Sequence, residues 1–509
     1  MVLIGFVDAL AVALLMCILA RFVAGRRRKH LPPGPSGWPL IGNVLGMPTS
    51  HEWQTFAKWG EKWGDVISIT LLGQPVVILN SSHAAVDMLD KKSAIYSDRP
   101  TFPVCGQVIG YDRTLVLLHY GPVWRETRRL FSKTIGTRDS LMHLSDRLER
   151  GGHRFLTRLM AQPETLFQQV RGFTGASILS IAYGYNVERE DDELIRLVDK
   201  AVEEFSLASA PGAYFADALP ILIRVPAWLP GAGWKRRALA WRRDLEAMCD
   251  LPFNHTKQQM KTGKASPSFV SMNLIPDTDS GREFLVKSAA ASLYSAGADT
   301  TVSAICSFFL AMMCFPGAQK KAQAEIDRVV GNDRLPRLND RDELHYVRAL
   351  IWEVLRWQPI GPLGVPHRLT EDDTHAGYFL PKGTIVIANI WRMLRDPSRY
   401  PNPEVFNPDR FLPSNDAEPE YDPRHIVFGF GRRVCPGSQL AETSLFLICA
   451  LSLAVFDIAK PIVDGNVVEP SLEYTTGTIS HPVPFECSVK PRSAKASALV
   501  AAAMSDSVF

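Results

Sequence analysis

The run Phe428-Gly-Phe-Gly-Arg-Arg-Val-Cys-Pro-Gly437 is the densest cluster of chemistry-bearing residues in the chain. Its glycines permit a tight turn with Cys435 at the foot, and Pro436 sits where a helix would begin, a favoured first-turn position. A thiolate there faces unpaired N–H groups and the positive end of the helix dipole, which lowers its pKa. Gly437 lets those amides approach the sulfur with no Cβ in the way, and Arg433 adds positive charge on the same turn. Such a cysteine suits metal ligation or nucleophilic attack. A Gly-rich surface turn with an inert thiol accounts for the residues equally well. A thiol hydrolase would need a His within reach of Cys435; no His/Asp partner of a thiol-hydrolase pattern lies nearby in sequence, which leaves a spatial partner open.

Two further segments stand out. In Ala296-Gly-Ala-Asp-Thr-Thr301, Gly297 costs a helix about 1 kcal/mol relative to Ala, and Asp299, Thr300 and Thr301 compete for backbone partners. A carboxylate beside two hydroxyls in an apolar helix could relay protons; a glycine permitting close helix packing is the plainer reading. Glu353-Val-Leu-Arg356 places a carboxylate and a guanidinium on one helix face, a pairing that most solvated helices also show.

Taken together these segments resemble the cytochrome P450 family. Phe428-x-x-Gly431-x-Arg433-x-Cys435-x-Gly437 matches its haem-ligand signature at every fixed position, and Ala296–Thr301 matches its oxygen-activation motif. Glu353, Arg356 and the Arg410 of Pro408-Asp-Arg410-Phe411 match its structural Glu–Arg–Arg triad. The resemblance implies haem b with Cys435 as the axial ligand to iron, and O2 as co-substrate. Thr300 would protonate bound oxygen, Asp299 would gate the proton supply, and Gly297 would leave room for the oxygen. Trp124, Arg128, Arg99, His367 and Arg433 match positions that bind the haem propionates in the family, and the triad would lock the fold around the haem. The general character is that of a fungal microsomal member from secondary metabolism.

The elements that must position these residues are mostly helical. Helical periodicity runs over roughly 82–91, 119–136, 140–185, 190–209, 232–262, 281–315, 317–330, 343–357 and 436–453. Short β-branched runs lie at 65–72, 75–79 and 385–388 and near the end. The expected fold is mainly α with a minor β-sheet, and 281–315 should run through the core. The resemblance implies the P450 fold, with haem between that long helix and the helix after the cysteine loop.

Residues 2–20 carry one charge, Asp8, and as a helix would reach about 28 Å, close to the ~30 Å hydrocarbon core. Arg26, Arg27, Arg28 and Lys29 follow the apolar run, the reverse of a cleaved signal, and keep the remainder cytosolic. The expected organisation is a single-pass anchor over 1–24, a basic and Pro-rich hinge over 25–35, one catalytic domain over 36–493 and a flexible tail over 494–509. With the resemblance, this implies the endoplasmic reticulum membrane. Lys+Arg 56 against Asp+Glu 53, a net +3, gives no case for nucleic acid. Eight cysteines without a CxxC pair read as buried free thiols in a reducing compartment.

The chain has no flavin-binding unit, so NADPH would act only indirectly, through a separate NADPH–cytochrome P450 reductase docked on a basic face that includes Arg432. By family position, substrate contacts would come from Phe102, Val104, Phe205, Leu293, Ile360, Leu363, Val365 and Ile479, an apolar lining suited to a terpenoid, steroid-like or aromatic lipophile arriving from membrane lipid. Competing readings are a haem-thiolate isomerase or dehydratase, which would dispense with the oxygen motif, and a non-enzymatic haem protein, which would lack a pocket.

Overall fold

The computed structural model describes residues 31–505, apart from 190, 211, 276–277 and 415–417. The expected anchor and the first part of the hinge lie outside the described residues. The hinge residues that are described, 31–35, are non-helical and docked. Ser68 donates its amide to the Pro33 carbonyl (2.9 Å) and its hydroxyl to that of Pro32 (2.5 Å).

The longer helices, numbered along the chain, are α1 (Glu52–Trp63), α2 (Pro122–Ile135), α3 (Ser145–Ala161), α4 (Leu166–Tyr183), α5 (Glu193–Ser209), α6 (Gly233–Lys261), α7 (Ser280–Cys314), α8 (Pro316–Val329), α9 (His345–Trp357), α10 (Ser438–Val455) and α11 (Ala494–Ser505). A four-stranded sheet runs β1 (Val66–Leu71), β2 (Gln74–Leu79), β4 (Ile385–Ala388), β3 (His367–Arg368) in spatial order. The β1–β2 hairpin turns through Leu72 and Gly73, both at positive φ, as a two-residue loop matched to strand twist requires. β4 lies parallel to β2.

α7 is the axis of the helical part. Asp279 caps it, accepting from the amides of Gly281 (2.9 Å) and Arg282 (3.0 Å), and Pro316 follows where it stops. Its middle and end are buried nearly all round. α7 and α10 are long and apolar enough to cross a membrane, yet most of each is buried inside the protein, so both are core helices.

Three expectations on helix extent are corrected. The 140–185 stretch is not one helix: it holds the end of a short helix (Arg138–Met142) and then two long ones, which Pro163 separates with a short 3-10 turn. The 82–91 stretch begins as α-helix and continues as a π-turn over Val86–Lys91. The expected flexible tail is corrected over residues 494–505, which form helix α11, with Val500 fully buried and Ser493 Oγ accepting from the Ala496 amide (3.1 Å). Alanine is the strongest helix former, so a run of small residues needs only one packed face to stay helical. The seven described cysteines are all unpaired.

Candidate active site

α2, α4, α5, α7, α10, the cysteine loop and the sheet enclose one large cavity of about 2240 Å³ of atom-free space, its mouth included. Cys435, Phe428, Arg433, Gly437, Trp124, Arg128, Arg99, His367 and Thr300 all line it.

The cysteine loop is clamped from behind. Gly431 (φ +56°) lies so close to the π-turn that a Cβ would stand 2.1 Å from the Leu89 carbonyl oxygen. Its amide also donates to the Asp90 carboxylate. The Cys435 amide donates to the Phe428 carbonyl (2.8 Å), closing the turn that aims the sulfur into the cavity. α10 begins at Ser438, two residues beyond the Pro436 start expected from the sequence.

The thiol does not behave as the helix-terminus argument expects. Burial pushes the Cys435 pKa up, against the opposing effects of the Gly437 amide and the Arg128 charge. The protein alone therefore favours the thiol, and a bound metal cation would favour the thiolate. Glycine is not what lets the amide reach the sulfur, since a Cβ on Gly437 would sit 3.9 Å from Sγ, in ordinary contact.

Beside the sulfur, the cavity wall carries three arginines and no carboxylate among the described residues. Trp124 has Arg433 (4.9 Å) and Arg128 (5.5 Å) over its ring. Arg433 donates to the carbonyls of Ser97 and Leu118 (2.7 Å each), while its Nη1 is buried without a partner. Burial lowers Arg433 to about 10, so it keeps its charge at neutral pH. Arg99 is spent largely on backbone: its Nη1 donates to Val365 (2.6 Å) and Pro366 (2.8 Å), and its Nε to Val116 (3.1 Å). His367 Nδ1 pairs with the Tyr96 carbonyl (2.8 Å), and burial and nearby Arg99 pull the ring down to about 3. In that neutral state Nδ1 holds the hydrogen and Nε2 can only accept. A buried thiol facing a cavity, with an unpartnered guanidinium N–H and further cations nearby, fits an iron porphyrin carrying two carboxylates.

On the opposite wall, the Thr300 hydroxyl donates to the Ala296 carbonyl (2.6 Å) and faces the cavity. Asp299 is not in the wall: it points to Arg171 and His481. Gly297 also lines the cavity. A Cβ there would come within 2.6 Å of Ile178 Cδ1, so the glycine also admits α4.

Glu353 and Arg356 are wholly buried, and Arg410 nearly so. Arg356 donates to both Glu353 oxygens (2.6 and 2.8 Å) and Arg410 to one (3.2 Å). None of the three lines the cavity; their neighbour Leu355 does. Sequence reasoning missed the Asn407 amide on Glu353 (2.8 Å) and Glu420, which holds Arg410 (2.7 and 2.9 Å).

Of the expected substrate contacts, Phe205, Leu293, Ile360, Leu363, Val365 and Ile479 line the cavity. Phe102 and Val104 do not, because the π-turn Pro103–Ile109 turns them into the core. The sequence reading missed Phe173, Ile178 and Ile181 of α4 in this wall. The apolar character of α4 on nearly every side was the available signal.

A family model described as Cytochrome P450 matches residues 32–488. Cytochrome P450 monooxygenase 208 of Postia placenta is 58% identical over 497 residues, 97% of each chain. Cytochrome P450 monooxygenase claR of Ampulloclitocybe clavipes is 44% identical over 93% of this chain and 89% of its own. Cytochrome P450 monooxygenase ple1 of Rhodocybe pseudopiperita is 40% identical over 95% and 94%.

Proposed function

The chain belongs to the cytochrome P450 family, and from that membership we propose that it oxidises a neutral terpenoid or aromatic, polyketide-like lipophile in fungal secondary metabolism. As a member it is a haem-thiolate monooxygenase that uses haem b and O2 and takes its electrons from a reductase. The observation that carries the substrate class is the cavity wall: away from the arginines it is built from Phe205, Leu293, Ile360, Leu363 and Ile479, with hydroxyls as its polar groups. Such a wall rewards apolar area and gives a charged substrate no counter-ion.

In this reading Cys435 holds the iron, while Arg433, through its unpartnered Nη1, joins Arg128 and Trp124 on the propionates. When bound, the thiolate-held haem supplies dioxygen activation and transfer of one oxygen atom to substrate. The protein's own part is to orient the lipophile, exclude water, and hold a transferable proton on the Thr300 hydroxyl, with Asp299 behind it. A cavity wall that keeps the Thr300 hydroxyl favours oxygenation over a reductase-independent isomerase. The electron donor in this reading is a membrane-bound NADPH–cytochrome P450 reductase, docking beside the cysteine loop where Arg432 is exposed and bonded to the Tyr120 hydroxyl (2.8 Å). The 1–24 segment would anchor the chain in the endoplasmic reticulum membrane.

The test uses the full chain in lipid vesicles with that reductase. The reduced carbon monoxide complex should absorb at about 450 nm, as a thiolate-held haem does, and Cys435→Ala should abolish the band. Terpenoid and aromatic lipophiles should shift the iron spin state and gain one oxygen atom. Shifts confined to carboxylate-bearing compounds would overturn the substrate class.

A further inference from the structure

Asp299, unlike Thr300 and Thr301, stands outside the cavity wall. Its two oxygens are held separately. Oδ2 meets His481 Nε2 at 3.0 Å, and Oδ1 meets Arg171 Nη1 at 3.3 Å. The same Arg171 nitrogen meets Asp199 at 3.2 Å. The Asp299 side chain is 8% exposed, against 20% for His481 and 37% for Arg171, so the cluster joins a buried carboxylate to solvent. Burial raises the Asp299 pKa, but His481 and Arg171 outweigh it and hold the carboxyl below its usual value. Asp199, facing the same arginine, is pushed up by burial.

His481 belongs to a loop, residues 474–482, fastened along α7 at three successive turns. His481 sits on Asp299, Ser303 Oγ donates to the Ser480 carbonyl (2.6 Å), and the Tyr474 hydroxyl donates to Ser307 Oγ (2.9 Å). Positions 299, 303 and 307 form one stripe of the helix. α5 grips the other side: Ser206 Oγ accepts from the Ile479 amide (3.3 Å), and the Ser209 and Thr478 hydroxyls pair at 2.7 Å. Gly477 makes that approach possible, with φ +121° and a notional Cβ 2.8 Å from Ser206 Oγ. The tip delivers Thr478 and Ile479 to the cavity wall. Ile479 and His481 are two residues apart, at most ~7 Å of extended chain, so a displacement of one is felt by the other.

We propose that His481 is a positioning residue of the oxidation: it holds Asp299 turned away from the cavity and ties that carboxylate to the loop carrying Thr478 and Ile479. The inference rests on the monooxygenase reading. In the structure His481 and Arg171 hold both oxygens of Asp299. A lipophile pressing on the loop tip draws His481 away, and the carboxylate can then take a proton from solvent and give it to the cavity-facing Thr300 hydroxyl oxygen as that hydroxyl releases its own proton into the cavity, so that Asp299 and Thr300 both end in their starting charge states. The charged or titratable groups facing His481 are Asp299 from α7, Asp199 from α5 and, through both, Arg171 from α4. Proton supply therefore follows cavity occupancy.

The experiment reads substrate-free NADPH oxidation by the full-length holoenzyme with reductase in lipid vesicles. His481→Ala should raise it about threefold or more, and His481→Gln, which keeps an N–H donor, should restore the wild-type rate. The double variant with Asp299→Ala should fall to the level of Asp299→Ala alone. Independently of activity, amide hydrogen exchange over 474–482 should quicken in His481→Ala and in Asp299→Ala, which alters no loop residue, but not in His481→Gln. An unchanged rate in His481→Ala, or a rise that persists in the double variant, would overturn the proposal. A wild-type enzyme without the band at about 450 nm would overturn the haem-thiolate reading and this inference with it. With the band present, the variants test the inference alone.

Discussion

Replacing Glu353 by Gln removes one charge from a site with no access to water. Glu353 accepts four hydrogen bonds: two from Arg356, one from Arg410 and one from the Asn407 amide. A glutamine keeps the shape but offers one acceptor oxygen, and its NH2 opposes an arginine N–H. The two arginines are not affected equally. Arg410 retains both Glu420 oxygens, whereas Arg356 retains only the carbonyls of Leu394 (3.1 Å) and Val405 (3.4 Å). The loss therefore falls on Arg356, a fully buried cation without a counter-ion, and such a break costs about 3–5 kcal/mol. At ~2.1 cal/mol/K of unfolding entropy per residue, a chain of this size has about 1 kcal/mol/K, so the melting temperature should fall by about 3–5 °C. Thermal unfolding of the holoenzyme, followed by circular dichroism and by haem absorbance, measures it. The exposed pair Arg138–Asp342, 2.7 Å apart, is the control; Asp342→Asn should give no resolvable shift. Substrate affinity of folded Glu353→Gln should be unchanged, since the triad does not line the cavity. A fall of less than about 1 °C would refute the argument that an uncompensated buried charge dominates here.

Gly297→Ala should cost about 1–3 kcal/mol by overpacking against Ile178, and Ile178→Val, which removes the nearest methyl, should recover part of it in chemical denaturation. Thr300→Ala should lower product formed per NADPH by of order tenfold while leaving the reduced carbon monoxide spectrum intact; unchanged coupling would remove Thr300 from proton transfer. Glu204 is pushed up to about 7 by burial and by the Asp244 carboxylate. Its folded pKa is raised, so its contribution is full below the ordinary carboxyl range and is lost as pH rises through about 7. Glu204→Gln should flatten that decline in a melting series across neutral pH, and an identical slope in both proteins would refute the assignment.

Much of the chemistry was legible in the chain because it depends on local spacing. The cysteine loop needs a turn, a sulfur and a following helix within ten residues, and periodicity places the axial helix to within one residue at each end. What misled were local arguments applied where packing decides. Cys435 was expected to have a depressed pKa from the helix terminus, but burial acts on the whole thiol and outweighs a partial charge. The small, polar composition of 494–509 pointed to a flexible tail, but the partners that hold 494–505 lie far away in sequence, as Asp333 does from Lys495.

By itself, then, the sequence determined the fold class, the thiol that faces the cavity, and which residue types stand near it, since each is set by neighbours a few positions apart. Only the tertiary structure decided how those residues are used. Arg99 and His367 are largely committed to backbone carbonyls, while Arg433 keeps a buried N–H free. Asp299 is claimed by Arg171 and His481, 128 and 182 positions away in the chain. A buried charge must find its partner wherever the fold brings one, and no local pattern encodes that meeting.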